Sequence, residues 1–261
     1  MGQDDTIQSD ASGSLNLGVD EGKAILTFSH PKSNCLPGDL LRKLAAEINH
    51  LSENEDVRVI QLQSAGERAF CAGASFDEIK AVRTLEQSKY FFSGFAEVIR
   101  AMRACRKLIV TRVQGKAAGG AVGLIAASDY ALATQQGAVR LSELALGIGP
   151  FIIGPAVLRK VGRAAFGELA VSAEWRDANW AKQRGLYAGV FDDTAQLDSQ
   201  VDALVDRLAK SNPPALENLK RVLWEGTEDW EQLLDRRVEV TSRLALGEFV
   251  QQKIASFGNA G

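Results

Sequence analysis

The stretch Gln114-Gly115-Lys116-Ala117-Ala118-Gly119-Gly120-Ala121-Val122-Gly123-Leu124-Ile125-Ala126-Ala127-Ser128-Asp129 constrains this chain more than any other. A β-branched run, Leu108-Ile109-Val110-Thr111-Arg112-Val113, precedes it and small apolar residues follow. That order predicts a strand, a glycine turn and a closely packed helix start. The first amides of a helix lack an intrahelical acceptor and sit at the positive end of its dipole, so Gly119, Gly120 and Ala121 would present donors to a negative oxygen. A Gly-Gly pair before an apolar helix serves close packing as readily as binding, so the pattern needs a partner elsewhere in the chain.

The partner sits after an earlier strand. Gly22–His30 alternates as a strand, Pro37–His50 places Leu40, Leu41, Leu44, Ala45 and Ile48 at helical spacing, and Val57–Gln63 reads as the next strand. Strand, helix, strand predicts a parallel sheet with crossover helices. The segment Ala69-Phe70-Cys71-Ala72-Gly73-Ala74-Ser75-Phe76 then leaves that strand as a second small-residue turn running into a helix. Two such turns would bring the amides of Ala74 and Gly120 to one point. The alternative is that Cys71-Ala72-Gly73 only packs two layers closely.

One carboxylate stands out. Ser142-Glu143 follows a short strand and leads into Leu144-Ala145-Leu146-Gly147-Ile148-Gly149-Pro150-Phe151-Ile152-Ile153-Gly154-Pro155, a loop without charge. A carboxylate in such surroundings has its pKa raised, which suits a general base at neutral pH; the bland alternative is a cap or a solvent-facing glutamate. Thr84–Arg106 reads as a long amphipathic helix whose Phe91, Phe92 and Phe95 suit a core or an acyl-chain wall. Ala156–Gly162 and the segment from Trp175 to Gly185 read as further helices, and Val190-Phe191 as a last strand. From Leu197 onward only helical periodicity remains. The expected organisation is a polar, disordered lead over residues 1–13, an α/β body over 14–196 and a helical region over 197–261.

Several classes are excluded by composition. A formal charge of −3 gives no field for nucleic acid or an anionic membrane. Three cysteines, Cys35, Cys71 and Cys105, and two histidines carry no metal-ligand spacing. With no signal-peptide, transit or bilayer-spanning pattern, a soluble cytoplasmic protein is expected. Cys71 reads as a small buried filler and not a nucleophile, since no histidine partner is evident.

Taken together, His30-Pro31-Lys32-Ser33-Asn34, Ala69–Ala74, Gln114–Gly120 with Asp129, Ser142-Glu143 with Leu146–Pro150, and Trp180-Ala181-Lys182-Gln183-Arg184-Gly185-Leu186 resemble the crotonase superfamily, the enoyl-CoA hydratases and isomerases. The match runs from about Gly22 to the C-terminus. The resemblance implies an α/β fold with a ββα spiral core, a C-terminal helical trimerisation region, a homotrimer or dimer of trimers, and an acyl-CoA thioester as substrate. It implies no cofactor besides the coenzyme A of the substrate. Its oxyanion hole maps onto the N–H groups of Ala74 and Gly120, with Glu143 as the acid/base. The substrate would lie along Cys71, Ala72 and Gly73, the loop at Asn34 and Cys35, and Gly119, Ile148, Gly149 and Pro150.

Two departures from the family pattern are informative. Two-glutamate hydratases carry a second glutamate in the first turn of the Gly-Gly helix, where this chain has Gly123. Ser75 replaces an aspartate found in many relatives. Syn hydration uses two carboxylates, whereas moving a double bond needs one base that takes and returns a proton. The pattern therefore points to isomerisation of a 3-enoyl-CoA to the conjugated 2-enoyl-CoA. The alternatives are hydration by Glu143 alone, with a branched or methylglutaconyl-type substrate included, and a non-catalytic CoA-ester-binding or assembly protein. RNA binding of the kind some relatives show through a lysine-rich helix finds only Arg42 and Lys43 here.

Overall fold

A computed structural model describes residues 13–258, so all of the expected N-terminal lead except Gly13 lies outside the described residues. The strands are β1 (Ser14–Asp20), β2 (Lys23–Ser29), β3 (Val59–Ser64), β4 (Leu108–Val113), β5 (Ala117–Ala118), β6 (Tyr130–Thr134), β7 (Val139–Arg140) and β8 (Gly189–Phe191). The main sheet runs β1-β2-β3-β4-β6-β8, with β1 antiparallel to β2 and the other neighbours parallel. β1 goes beyond the sequence expectation, which began the sheet at Gly22. It is an edge strand, exposed along most of its length, so it carries no buried-face pattern to read. Its hairpin turn puts Glu21 and Gly22 at φ 45° and 82°, as a two-residue turn with the sheet's twist requires.

β5 and β7 form a second, short parallel sheet, extended by isolated bridges from Cys71 to Ala117 and from Val139 to Arg176. Each circuit of the chain lays a strand in the large sheet and a short rung in the small one, which makes a spiral. The functional turns lie where the chain passes from one sheet to the other.

The helices are α1 (Gly38–Glu53), α2 (Phe76–Ala81), α3 (Leu85–Ala104), α4 (Gly120–Ala127), α5 (Gly154–Ser172), α6 (Ala178–Gln183), α7 (Thr194–Ala209), α8 (Pro213–Leu223), α9 (Trp230–Ala245) and α10 (Glu248–Gly258). All eight residues of α4 are buried, which explains its small side chains. α1 packs on α3, and α3 on α9. Thr84 and Gln87 close α3 with reciprocal capping bonds. α5 outlasts the expected Ala156–Gly162 because the chain turns at Gly162 (φ 79°, ψ 167°) and resumes the helix. α6 starts at Ala178, not Trp175, because the Asp177 carboxylate caps it by accepting from the Trp180 amide.

The expected division at residue 197 does not follow the packing. Leu197, Val201 and Val205 of α7 bury themselves against Val59, Val110 and Leu132 of the main sheet. A buried ion pair ties α8 to the end of α4: Asp129 accepts from Lys220 Nζ at 2.7 Å, from Trp224 Nε1 at 2.8 Å and from the Ile109 amide at 2.7 Å. The half-buried Lys160 ammonium donates to the carbonyls of Ser128 and Asp129, and desolvation lowers its pKa to about 8. Among the described residues no helix is long and apolar enough to cross a membrane.

Candidate active site

The first turn is held in shape by its neighbour. Residues 33–36 run alongside 72–75, with Ala72 N donating to Ser33 O (3.0 Å), Leu36 N to Gly73 O (2.8 Å) and Ser75 N to Leu36 O (3.2 Å). This pairing leaves the Ala74 N–H with no backbone acceptor among the described residues. Gly73 has φ +90°, and a Cβ there would stand 2.6 Å from Ala118 O and 3.7 Å from the Gly120 nitrogen. Only glycine permits both the left-handed backbone and so close an approach. The two turns are thereby pressed together, with the Gly73–Ala74 peptide beside the Gly120 amide.

The second turn is fixed by Gly119, whose N–H donates to Arg140 O at 2.8 Å and whose φ is +53°. Gly120 opens α4, and its N–H, too, has no backbone acceptor among the described residues. A Cβ on Gly120 would collide with the Phe95 ring at 2.1 Å, so a ring edge covers the start of the helix.

Ala74, Gly119, Gly120 and Glu143 line one cavity of about 210 Å³. Glu143 sits at the head of a short 3-10 turn, Leu144–Leu146, and its side chain makes no cap. Its Oε2 is out of solvent contact and has no hydrogen-bond partner, while Oε1 lies 3.3 Å from where a Cβ on Gly119 would be. Burial raises the carboxyl pKa from 4.5 to about 7, against a smaller lowering by the amides of Glu143 and Ser142. Desolvation without a cationic partner disfavours the charged form, and it sets a base where it exchanges protons readily at neutral pH. Both bland alternatives for this residue, a helix cap and a solvent-facing carboxylate, are thereby set aside.

The remaining walls are apolar. Phe76 and Ile79 of α2, Phe92 and Phe95 of α3, and Leu146, Ile148 and Phe151–Ile153 of the uncharged loop line the cavity with the carboxylate, which among the described residues is its only ionisable side chain. At Gly123 the space a Cβ would need is filled by Ile153, whose Cγ2 would be 2.4 Å away. At Ile153 the cavity thus has a hydrocarbon wall, and among the described residues it has no second acid.

A family model described as "Enoyl-CoA hydratase/isomerase" matches residues 19–253. The chain belongs to that family. It is 29% identical over 213 residues to a probable enoyl-CoA hydratase of Bacillus subtilis (strain 168), covering 81% of this chain and 82% of that one. It is 26% identical over 239 residues to the peroxisomal Delta(3,5)-Delta(2,4)-dienoyl-CoA isomerase of Arabidopsis thaliana, covering 85% and 84%. The crystal structure of enoyl-CoA hydratase from Bacillus halodurans superposes with a TM-score of 0.86 at 18% identity, covering 93% of this chain and 99% of that one. The fold is that of the crotonase superfamily, and the chain is a crotonase-type enzyme.

Within this hydratase/isomerase framework, the expected site residues divide into two groups. Ala72, Gly73, Ala74, Gly119, Gly120, Glu143, Ile148, Gly149 and Pro150 all line the cavity. Asn34, Cys35 and Cys71 do not line it, and their side chains bond within the first turn and its neighbours. The Asn34 amide donates to Ala65 O and Ala69 O while its Oδ1 accepts from the His30 amide. Cys35 Sγ lies 3.2 Å from His30 Nδ1, and Cys71 Sγ accepts from the Gly73 amide. Burial pushes the Cys71 thiol up to about 12, in keeping with a filler. Sequence reasoning missed Phe151 and Ile153, although both fall in the uncharged loop it singled out. Thr241, from α9, also lines the cavity, and nothing in its local sequence marks it.

Proposed function

We propose that this enzyme isomerises a 3-enoyl-CoA to the conjugated 2-enoyl-CoA. The observation that carries the reading is, among the described residues, a single carboxylate with a buried, unpartnered Oε2 in a cavity that also holds two amides without backbone acceptors. The thioester oxygen accepts from the N–H groups of Ala74 and Gly120. The Glu143 carboxylate takes a proton from C2, and the electron pair of that C–H bond forms a C1–C2 double bond as the carbonyl π pair moves onto the thioester oxygen, in conjugation with the C3–C4 double bond. The resulting dienolate is stabilised by the two donors, each a fixed dipole aimed at developing charge. Protonated Glu143 then returns the proton to C4, leaving the double bond between C2 and C3. The shuttle is balanced in itself and needs no metal or cofactor beyond the coenzyme A that the substrate carries.

The packing of Ile153 against Gly123 supports isomerisation over hydration, because it leaves no second carboxylate to hold a water. Hydration by Glu143 alone is the second reading, favoured by the name of the Bacillus subtilis relative. Absorbance separates them: an isomerase creates the conjugated thioester chromophore from a 3-enoyl-CoA, whereas a hydratase removes it from a 2-enoyl-CoA. Glu143→Gln should abolish the first change; full turnover in that variant refutes the reading. The apolar side chains that α8 and α9 leave exposed, Leu219, Val222, Val240 and Leu244, support assembly as a trimer or dimer of trimers, which sedimentation of the whole chain tests.

A further inference from the structure

Beyond the ring of Phe151 lies a second apolar space. The cavity that holds Glu143 and a larger groove of about 580 Å³ share one wall, the segment Gly149-Pro150-Phe151. Leu158 and Phe166 of α5 and Trp230 and Leu233 of α9 line the far side of that groove. The wall is thin. Phe151 N donates to Gly149 O at 2.7 Å, and the turn folds the ring back over Gly149, where a Cβ would be 2.3 Å from Phe151 Cζ. Phe151 is half-buried, so its ring has room on one side that the fully buried parts of the wall lack.

We infer that Phe151 sets the length of acyl chain this enzyme accepts, and that the groove behind it receives the far end of a longer chain. This rests on the reading of the cavity as the thioester site. With the ring in place, 210 Å³ must hold the reacting end of the acyl group. A cavity of about 150 Å³ takes a benzene molecule, so a space of this size suits a chain on the order of six to eight carbons. With the ring turned away or removed, the cavity and the groove become one continuous, mostly apolar channel. Within the cavity around Glu143 the chain is a plain hydrocarbon: among the described residues no basic side chain lines it, so a carboxylate held there would be an unpaired buried anion, whereas Arg159 and Arg237 line the groove beyond.

The test compares 3-hexenoyl-CoA with 3-dodecenoyl-CoA on wild type, Phe151→Ala, and Phe151→Ala combined with Leu158→Trp. Wild type favours the six-carbon substrate in kcat/KM. Each methylene admitted to an apolar space is worth up to about fourfold, so Phe151→Ala should raise the twelve-to-six-carbon ratio by at least about tenfold. Refilling the groove with Leu158→Trp should return the ratio towards wild type. Thermal shifts with saturated hexanoyl-CoA and dodecanoyl-CoA give the same comparison without turnover. If neither ratio nor thermal shift responds to Phe151→Ala while Glu143→Gln is inactive, the length rule is wrong and the isomerase reading stands. If neither 3-enoyl-CoA is turned over yet the thermal shifts follow Phe151, the isomerase reading is wrong and the length rule stands. Should Leu158→Trp change the sedimenting mass and leave the ratio alone, the groove is a contact between copies of the chain and the inference falls.

Discussion

Replacing Glu143 by Gln should make the protein more stable, and increasingly so as the pH rises. The carboxyl titrates near its ordinary 4.5 in the unfolded chain and near about 7 when folded, because burial opposes its charge. A raised acid pKa means the folded state holds the proton more tightly, so its favourable contribution is present below pH 4.5 and is lost as pH rises through about 7. The full shift of about 2.5 pH units corresponds to about 3 kcal/mol. At pH 5.5 the glutamate has cost the fold about 1 kcal/mol and at pH 8 about 3 kcal/mol. Glutamine is uncharged throughout and close to isosteric, so its stability advantage over wild type should grow by about 2 kcal/mol between those two pH values. For a chain of this size that is roughly 4–8 °C in Tm. Paired urea or thermal melts of the two proteins at pH 5.5 and pH 8 give the number. A difference that does not change with pH, or a wild type that gains on the variant as pH rises, would refute the claim that the carboxylate is buried without a compensating partner.

The same titration governs activity: the base must be ionised, so kcat/KM for isomerisation should rise with pH and level off above about 7, and a flat profile from pH 5.5 to pH 8 contradicts it. Ala74→Pro removes an N–H that no backbone acceptor uses. Loss of one such donor typically lowers kcat by about 10²–10³, and turnover within tenfold of wild type would rule out Ala74 as a donor to the thioester. Gly123→Ala drives a Cβ into Ile153, and overpacking of this kind costs about 1–3 kcal/mol; adding Ile153→Val should recover part of the loss in a melt. Asp129→Ala leaves the Lys220 ammonium buried and unpaired, at a cost of about 3–5 kcal/mol, whereas a loss below 1 kcal/mol by urea melt would mean the pair is not buried as described.

Where chemistry and periodicity coincide, the sequence is legible. The glycine turns at Gly73 and Gly119-Gly120 and the acid at the edge of an uncharged loop are local patterns, each produced by a physical need at that position. β1 escaped because an edge strand with both faces largely exposed carries no alternation of burial. Thr241 escaped because its place in the cavity depends on α9 packing against α3, a contact between distant parts of the chain. Asn34 and Cys35 lie outside the cavity for the converse reason. Polar and thiol groups in a loop look alike to a reader of sequence whether they meet a ligand or, as here, satisfy the backbone of the next turn.

The central claim, one carboxylate moving one proton beneath two amides, is tested most directly with a 3-enoyl-CoA deuterated at C2. A base shut away from water should return part of the label before it exchanges, so mass and NMR analysis should find deuterium at C4 of a 2-enoyl-CoA product in wild type and no product with Glu143→Gln. A 3-hydroxyacyl-CoA product, or unchanged turnover in the glutamine variant, would contradict it.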